Sequence, residues 1–387
     1  MFKLGVLKVK CTEFVKTMFT RLHVKNFLSL KNVDIELGKV NVFIGPNASG
    51  KSNIAKVFRL VAKHAKEGIP ALEGYKRLRD LSFNFNPAVG VHIVLEMLIG
   101  STKYGYRLEL TNERYFEQIL MANEPVITHD GSEYGVRIKG ETRGGLISGG
   151  GQAYYGRMTS KSVLTSLPSD MEAEIYHLAS SIGKISVHSF APDILRLENS
   201  VAEQPFLKYH GENLARYLLY LYTERRKDFG RIEETLRSMI PEVEEIIPHI
   251  EGTSVEIWIK IKGLDEPLEP HNISDGTLRI LAIISALYGG FSLVVLEEPE
   301  NCIHPYLLET LMSLARDSPS QVVIMTHSPY LLDYVRPEEV YLVGKEDLET
   351  KVKKLSTTSE MERVKRFLEE GGTLGEAWLS GIVGGTP

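Results

Sequence analysis

From Arg21 onward the chain alternates apolar and polar positions in short bursts. RLHVKNF (21–27) and NVDIEL (32–37) read as half-buried strands, and after a turn at Gly38 the run VNVFI (Val40–Ile44) reads as a buried one. A loop bounded by Gly45 and Gly50 follows. From about Lys51 to Ala65 the period changes, with apolar Ile54, Val57, Leu60 and Val61 at helical spacing. Between Leu81 and Tyr134, segments such as VHIVLEMLI and YGYRLEL alternate again and predict antiparallel strands. Gly140–Gly156 holds seven glycines in seventeen residues and predicts a surface loop. Helical spacing returns over Ser169–Ile182 and from Gln204 to the mid-240s, interrupted near Pro241. SVEIWIKIK, LVVLEE and QVVIMTH then read as strands, with helices at ISDGTLRILAIISALY and Pro305–Ala315. The last forty residues are charged and read as mostly helical, and no internal repeat or sustained heptad pattern is present.

One stretch invites a different reading. Ile280 to Leu296 is seventeen residues without a charge, at the lower limit for a membrane span. Gly289 and Gly290 divide it into a helical half and a strand-like half, which favours a buried helix followed by a buried strand. The N-terminus carries charges throughout and lacks the apolar segment of a signal peptide, and Met18 is an alternative start. At 387 residues and 43% hydrophobic content the chain can bury a sizeable core in two or three lobes. A net charge of −5 excludes a wholly basic nucleic-acid binder, though not a local basic groove. Arg77-Leu78-Arg79 with Lys76, and Arg225-Arg226-Lys227, are basic stretches that read first as solvated helix faces. Two cysteines, Cys11 and Cys302, are too few for a disulfide framework and point to the cytoplasm.

The chemistry concentrates at strand ends. Gly45, Pro46, Asn47, Ala48, Ser49, Gly50, Lys51 and Ser52 match the phosphate-loop pattern G-x-x-x-x-G-K-[ST], placed between a buried strand and a helix as phosphate binding requires. The glycines turn backbone N–H groups inward, the helix N-terminus favours anions, Lys51 neutralises β- and γ-phosphates and Ser52 ligates Mg²⁺, with Asn53 beside it. Leu293–Leu296 ends in Glu297 and Glu298, the form of a Walker B strand. Glu297 is assigned to the metal and Glu298 to the attacking water as catalytic base. His327, at the end of QVVIMTH, is placed to reach a γ-phosphate. Cys302 and His304 have no matching Cys/His cluster and read as structural.

Two segments compete to be the Ser-Gly turn that, in the ATPases of ABC type, a second subunit aims at the γ-phosphate. Ile147–Gln152 (ISGGGQ) is closer to the transporter string, whereas Ser274, Asp275 and Gly276 have the better context. Ser274 can cap a helix that leads straight into Glu297, twenty-three residues on. Context decides for Ser274–Gly276.

RLHVKNFLSL, GPNASGKS, NISDGTLR, LEEPENCIHP and MTHSPYLLD, in this order, resemble the predicted ATPases of the RecF/SMC/OLD branch of the ABC superfamily, and TLGEAWLSGIVGGTP resembles the ending of its stand-alone subfamily. The resemblance spans Arg21 to Pro387. It implies an α/β P-loop NTPase of ABC-head type, with an antiparallel β subdomain and a helical lobe. The expected division is an N-terminal extension (1–20), the first part of lobe I (21–195), a helical lobe (196–272), a core with signature, Walker B, D-loop and switch histidine (273–345), and a C-terminal helical segment (346–387). Glu300 and Asn301 would begin the D-loop, His327 would be the switch histidine, and Asn26–Lys31 would lie near the adenine. No Q-loop glutamine can be placed. EEPE and SDGT in place of the transporter strings point away from transport, no segment provides an SMC-type arm, and the sixty residues after His327 are too few for the Toprim nuclease of OLD enzymes. The resemblance thus implies an ATP- and Mg²⁺-dependent dimerisation switch in DNA repair or anti-phage defence, with a separately encoded effector or nuclease and no membrane partner. The second reading is an ATP-gated clamp on nucleic acid, with hydrolysis only for release.

Overall fold

The computed structural model describes residues 17–67, 75, 77–111, 115–129, 134–138, 141–143, 162, 164 and 173–384. The ISGGGQ segment and Lys76 lie outside the described residues. The first half of the chain runs β1 (Thr17–Phe27), β2 (Leu30–Glu36), β3 (Val40–Ile44), α1 (Lys51–Glu67), α2 (Leu78–Leu81), β4 (Val91–Ile99), β5 (Thr102–Leu110), β6 (Tyr115–Met121), β7 (Glu124–His129), β8 (Tyr134–Ile138), β9 (Glu141–Arg143), α3 (Ala173–Gly183) and β10 (Ile185–His188). The second runs α4 (Pro192–Leu195), β11 (Asn199–Ser200), α5 (Leu214–Glu224), α6 (Arg226–Met239), β12 (Val243–Glu251), β13 (Ser254–Ile261), α7 (Asp275–Tyr288), β14 (Leu293–Glu297), α8 (Leu308–Asp317), β15 (Gln321–Thr326), α9 (Pro329–Leu332), β16 (Val340–Glu346), β17 (Glu349–Lys354), α10 (Met361–Glu369) and α11 (Leu374–Leu379).

Among the described residues these strands form three sheets. The central one has the order β10-β14-β15-β3-β16-β17, parallel except for the β17 edge. Its strands are covered on both faces, so they read as continuous apolar runs, and the pleat sorts their side chains by parity. Val42, Ile44, Val294, Leu296, Val322 and Ile324 face one core, which is closed by α5 to α8. Phe43, Leu293, Val295, Val323 and Met325 face the other, shared with α1, α3 and the second sheet. Each such fully buried side chain contributes about 1.5–3 kcal/mol. The second sheet is an antiparallel meander of order β2-β1-β4-β5-β6-β7-β8-β9, and α1 is packed between it and the central sheet.

The uncharged run resolves into α7, buried from Leu278 to Tyr288, and β14. No helix among the described residues is long and apolar enough to cross a membrane. Four segments differ from the reading of the sequence, the first being Glu141–Arg143, which forms β9 inside the expected glycine-rich loop. Residues 204–213 are irregular chain and turns, and α5 begins only at Leu214. The segment 196–272 carries, besides α5 and α6, a three-stranded sheet of order β11-β13-β12. The charged C-terminal stretch opens with a strand, β17, paired to β16.

Candidate nucleotide-binding site

Strand β3 lies between β15 and β16, so its carboxyl end is fixed on both sides. Beyond it the chain turns through Ala48 (φ +62°) and Gly50 (φ +106°) into α1. Asn53 N–H and Ile54 N–H donate back to the Gly50 carbonyl at 3.0 and 3.3 Å, starting the helix. The loop is held from outside. Thr350 Oγ1 donates to the Ser49 carbonyl at 2.9 Å and lies 2.6 Å from Ser29 Oγ, which accepts from Asn53 Nδ2 at 2.7 Å. A β-carbon at position 50 would stand 1.9 Å from Thr350 Oγ1, so only glycine admits this clasp.

Lys51 folds back over the loop, its ammonium donating to the Gly45 and Pro46 carbonyls at 2.7 and 2.9 Å. Burial lowers its pKa, and the nearby Glu298 and Glu300 carboxylates oppose that shift. No acidic side chain lies in the first turn of α1, while His64 and Lys66 lie in its last, so the loop end of the helix keeps its positive character. Ser52 is exposed at the second helical position. The Ser49 hydroxyl is buried without a hydrogen-bond partner. An ammonium resting on loop carbonyls, beside a helix start with no countercharge, fits a phosphate group.

Register places the acidic residues at the same sheet end. Ile44 pairs with Thr326, Phe43 with Met325, and Met325 with Glu297. Gly45, Glu298 and His327 therefore leave the sheet within one residue of a common level, on strands spaced about 4.8 Å apart. Glu298 turns out of the strand with φ +48°. Its Oε2 accepts from Asn301 Nδ2 at 2.8 Å, and His327 Nδ1 lies 3.3 Å from Oε1 with both side chains nearly half exposed. Glu297 is held differently, its Oε1 accepting from the Tyr209 hydroxyl at 2.6 Å. Glu300 turns inward and accepts from Thr326 Oγ1 at 2.5 Å, and burial raises its pKa.

Ser274 caps α7, its hydroxyl accepting from Thr277 N–H at 3.1 Å. Asp275 pairs with Arg196, which also donates to the Ile273 carbonyl. Gly276 permits close packing on the Cys302 carbonyl, which a β-carbon would approach to 2.9 Å. One turn on, Arg279 is buried and donates to the Phe190 carbonyl at 2.7 Å and the Glu298 carbonyl at 2.6 Å. The structure thus brings Lys51, Glu297, Glu298, Glu300, Asn301 and His327 to one sheet end, while the hydrogen bonds of Ser274 and Asp275 run to Thr277 and Arg196. His304 caps the turn at Pro305–Leu307 through Nδ1, and Cys302 is a free exposed thiol. Asn26 is buried and binds the Gly90 carbonyl, beside a concave pocket of about 520 Å³ that includes Lys31 and Phe83.

Sequence reading missed Tyr209, Thr350, Ser29 and Arg279. Arg279 alone had a local signal, a charge one turn into the helix, immediately before the uncharged run. Tyr209 and Thr350 act across more than eighty positions, and Ser29 across 24 to Asn53 and 321 to Thr350, distances at which spacing carries no information. Among the described residues no group of three or more His, Cys, Asp or Glu could hold a metal ion by itself. A divalent ion shared between nucleotide phosphates, Ser52 and one carboxylate fits this donor set better than a protein-only cage.

Two family profiles match the chain: one described as "AAA domain, putative AbiEii toxin, Type IV TA system", over residues 164–333, and one described as "AAA ATPase domain", over 18–105. The chain is similar to the OLD nuclease of Thermus scotoductus, with 23% identity over 358 residues, covering 85% of this chain and 62% of that protein. It therefore spans less than two thirds of that relative's length. Among solved structures it is similar to an SMC head bound to the C-winged helix domain of ScpA, at TM-score 0.55, 16% identity, and 89% and 99% coverage of the two chains. A second is an Smc head with an extended coiled coil bound to the C-terminal domain of ScpA, derived from Pyrococcus furiosus, at TM-score 0.54, 16% identity, and 92% and 99% coverage. At this identity the structures establish a shared head fold, in agreement with the P-loop α/β architecture expected from the motifs.

Proposed function

We propose that this chain, an ATPase of the ABC, SMC and OLD-like kind, binds MgATP in the loop Gly45–Asn53 and hydrolyses it as a switch between a separate and a paired state. The observation that carries the reading is the Glu298 carboxylate, exposed to solvent between Asn301 and His327 at the sheet end that also bears the phosphate loop. Backbone N–H groups of the loop and the Lys51 ammonium would hold the phosphates, with Ser52 and Glu297 on the metal side. Bound magnesium would supply charge neutralisation on the phosphate oxygens. Glu298 then serves as the base for water, oriented by Asn301 and His327. Ser274–Gly276, capping α7 and facing solvent, serves as the signature turn given to a second copy.

Pairing driven by ATP would give two states that a partner reads, and a role in DNA repair or anti-phage defence with a separately encoded effector follows from that reading. The similarity to an OLD nuclease supports a setting of this kind; nuclease activity is a property of that longer relative. Glu298→Gln provides the test. It should reduce ATP hydrolysis by about 10²–10⁴-fold while keeping ATP binding, and ATP should shift the variant from monomer to dimer in light scattering. A variant that stays monomeric at saturating ATP would overturn the switch.

A further inference from the structure

Tyr209 lies in the segment 204–213, and three neighbours fix it from different elements. Ser189 N–H, just past β10, donates to the Tyr209 carbonyl at 2.9 Å. On α1, the Arg59 guanidinium lies 4.3 Å from the centre of the tyrosine ring. At the end of β14, Glu297 Oε1 accepts from the phenol hydroxyl at 2.6 Å. The segment itself is rigidly built. Buried Asn213 accepts from Lys208 N–H at 2.9 Å and donates to the Phe206 carbonyl at 2.8 Å, and buried His188 lies 3.0 Å from the Lys208 carbonyl.

A phenol can only donate to a carboxylate, and a charge-assisted O–H···O⁻ bond of this length fixes the torsion of the group that accepts it. One oxygen of Glu297 is thereby engaged, and Oε2 accepts no hydrogen bond among the described residues. Carboxylates that ligate metals are commonly held in this way by an outer hydrogen bond, whose loss costs about 10–100-fold in metal affinity. The segment also runs directly into α5, whereas Glu297 and Arg59 belong to the central sheet and α1. Hydrogen bonds with His188 and Ser189 at the end of β10 anchor the segment to that same sheet.

We propose that Tyr209 is the positioning residue for the metal-side carboxylate, holding Glu297 with one oxygen free for magnesium. This rests on Glu297 being the metal-side group, and the test separates the two. Binding of a fluorescent ATP analogue to the full chain is titrated with Mg²⁺ for the parent, Tyr209→Phe, Glu297→Gln and the double variant. Melting of the nucleotide-free proteins is recorded in parallel.

Tyr209→Phe keeps the ring on Arg59 and removes one oxygen. It should raise the half-saturating Mg²⁺ concentration about tenfold, leave nucleotide binding in EDTA unchanged, and melt within about 2 °C of the parent. The double variant should match Glu297→Gln in its Mg²⁺ requirement, since the hydroxyl would reach the metal through that carboxylate. If Glu297→Gln shifts the Mg²⁺ requirement and Tyr209→Phe does not, the positioning role is overturned and the metal assignment stands. If Glu297→Gln leaves the requirement unchanged, both are overturned. A Tyr209→Phe protein too unstable to titrate would mark the bond as structural and also overturn the proposal.

Discussion

Position 50 shows how little room the phosphate loop leaves for change. Its φ of +106° is a conformation that L side chains rarely adopt, and the space beside it is filled by Thr350. Gly50→Ala should strain the backbone by about 1–3 kcal/mol and push Thr350 off the Ser49 carbonyl. We expect ATP binding to fall at least about tenfold, a loss of roughly 1.4 kcal/mol or more, read as a missing ATP-induced rise in melting temperature. Thr350→Ala should do less, because it removes the clasp without a collision. Lys51 behaves in the opposite sense. Its ammonium now rests on loop carbonyls, so arriving phosphates would exchange one set of acceptors for another without first opening an ion pair.

Among the elements, the helix that begins at Ser274 offers a clean separation of roles. As an N-cap, Ser274 is worth about 1 kcal/mol, so Ser274→Ala should lower the melting temperature by only a few degrees. If the hydroxyl is also presented to a second copy, ATP-dependent pairing and hydrolysis should fall well beyond that modest loss, and light scattering with a phosphate-release assay would measure both. The β3–loop–α1 unit and the α7–β14 pair were legible because each is contiguous in sequence and changes period at a glycine. Strand β12 was not. Val243, Ile246, Ile247 and Ile250 fall at helical spacing, yet the segment pairs with β13 across Val243–Glu251. Pro248 is tolerated there because β12 is an edge strand. Cross-strand pairing overrode a helical period that only distant residues could have corrected. In β17, part of the charged stretch that reads as mostly helical, the lysines instead lie on the edge strand of the central sheet.

For the whole molecule, stability should depend on pH through His188. It is buried, and since a carbonyl only accepts, Nδ1 carries the proton given to Lys208 while Nε2 accepts from the Ser186 hydroxyl at 2.6 Å. Burial holds its pKa down to about 3, so the folded chain keeps it neutral. The unfolded chain binds a proton below about 6.5. Between those values the unfolded state takes up the extra proton, so stability is full above pH 6.5 and declines as the pH falls, by roughly 1.4 kcal/mol per unit at most. Glu300, whose carboxyl is raised by burial, acts in the opposite direction, gaining stability as the pH falls toward 4.5. Comparing the parent with His188→Gln isolates the histidine: melting temperatures recorded from pH 7.5 to 5 should fall less steeply in the variant.

The hook of Thr350 on Ser49 also has a meaning in time. During synthesis the phosphate loop emerges some 300 residues before the strand that clasps it. At about 5–20 residues per second this is a delay of roughly 15–60 s. A nascent chain would carry the whole phosphate-loop motif without the support that shapes it, and competence for nucleotide would arrive only when the β16–β17 hairpin docks. Synthesis of the β16–β17 hairpin would then license the loop, so that copies not yet extended past Thr350 stay silent beside those that are.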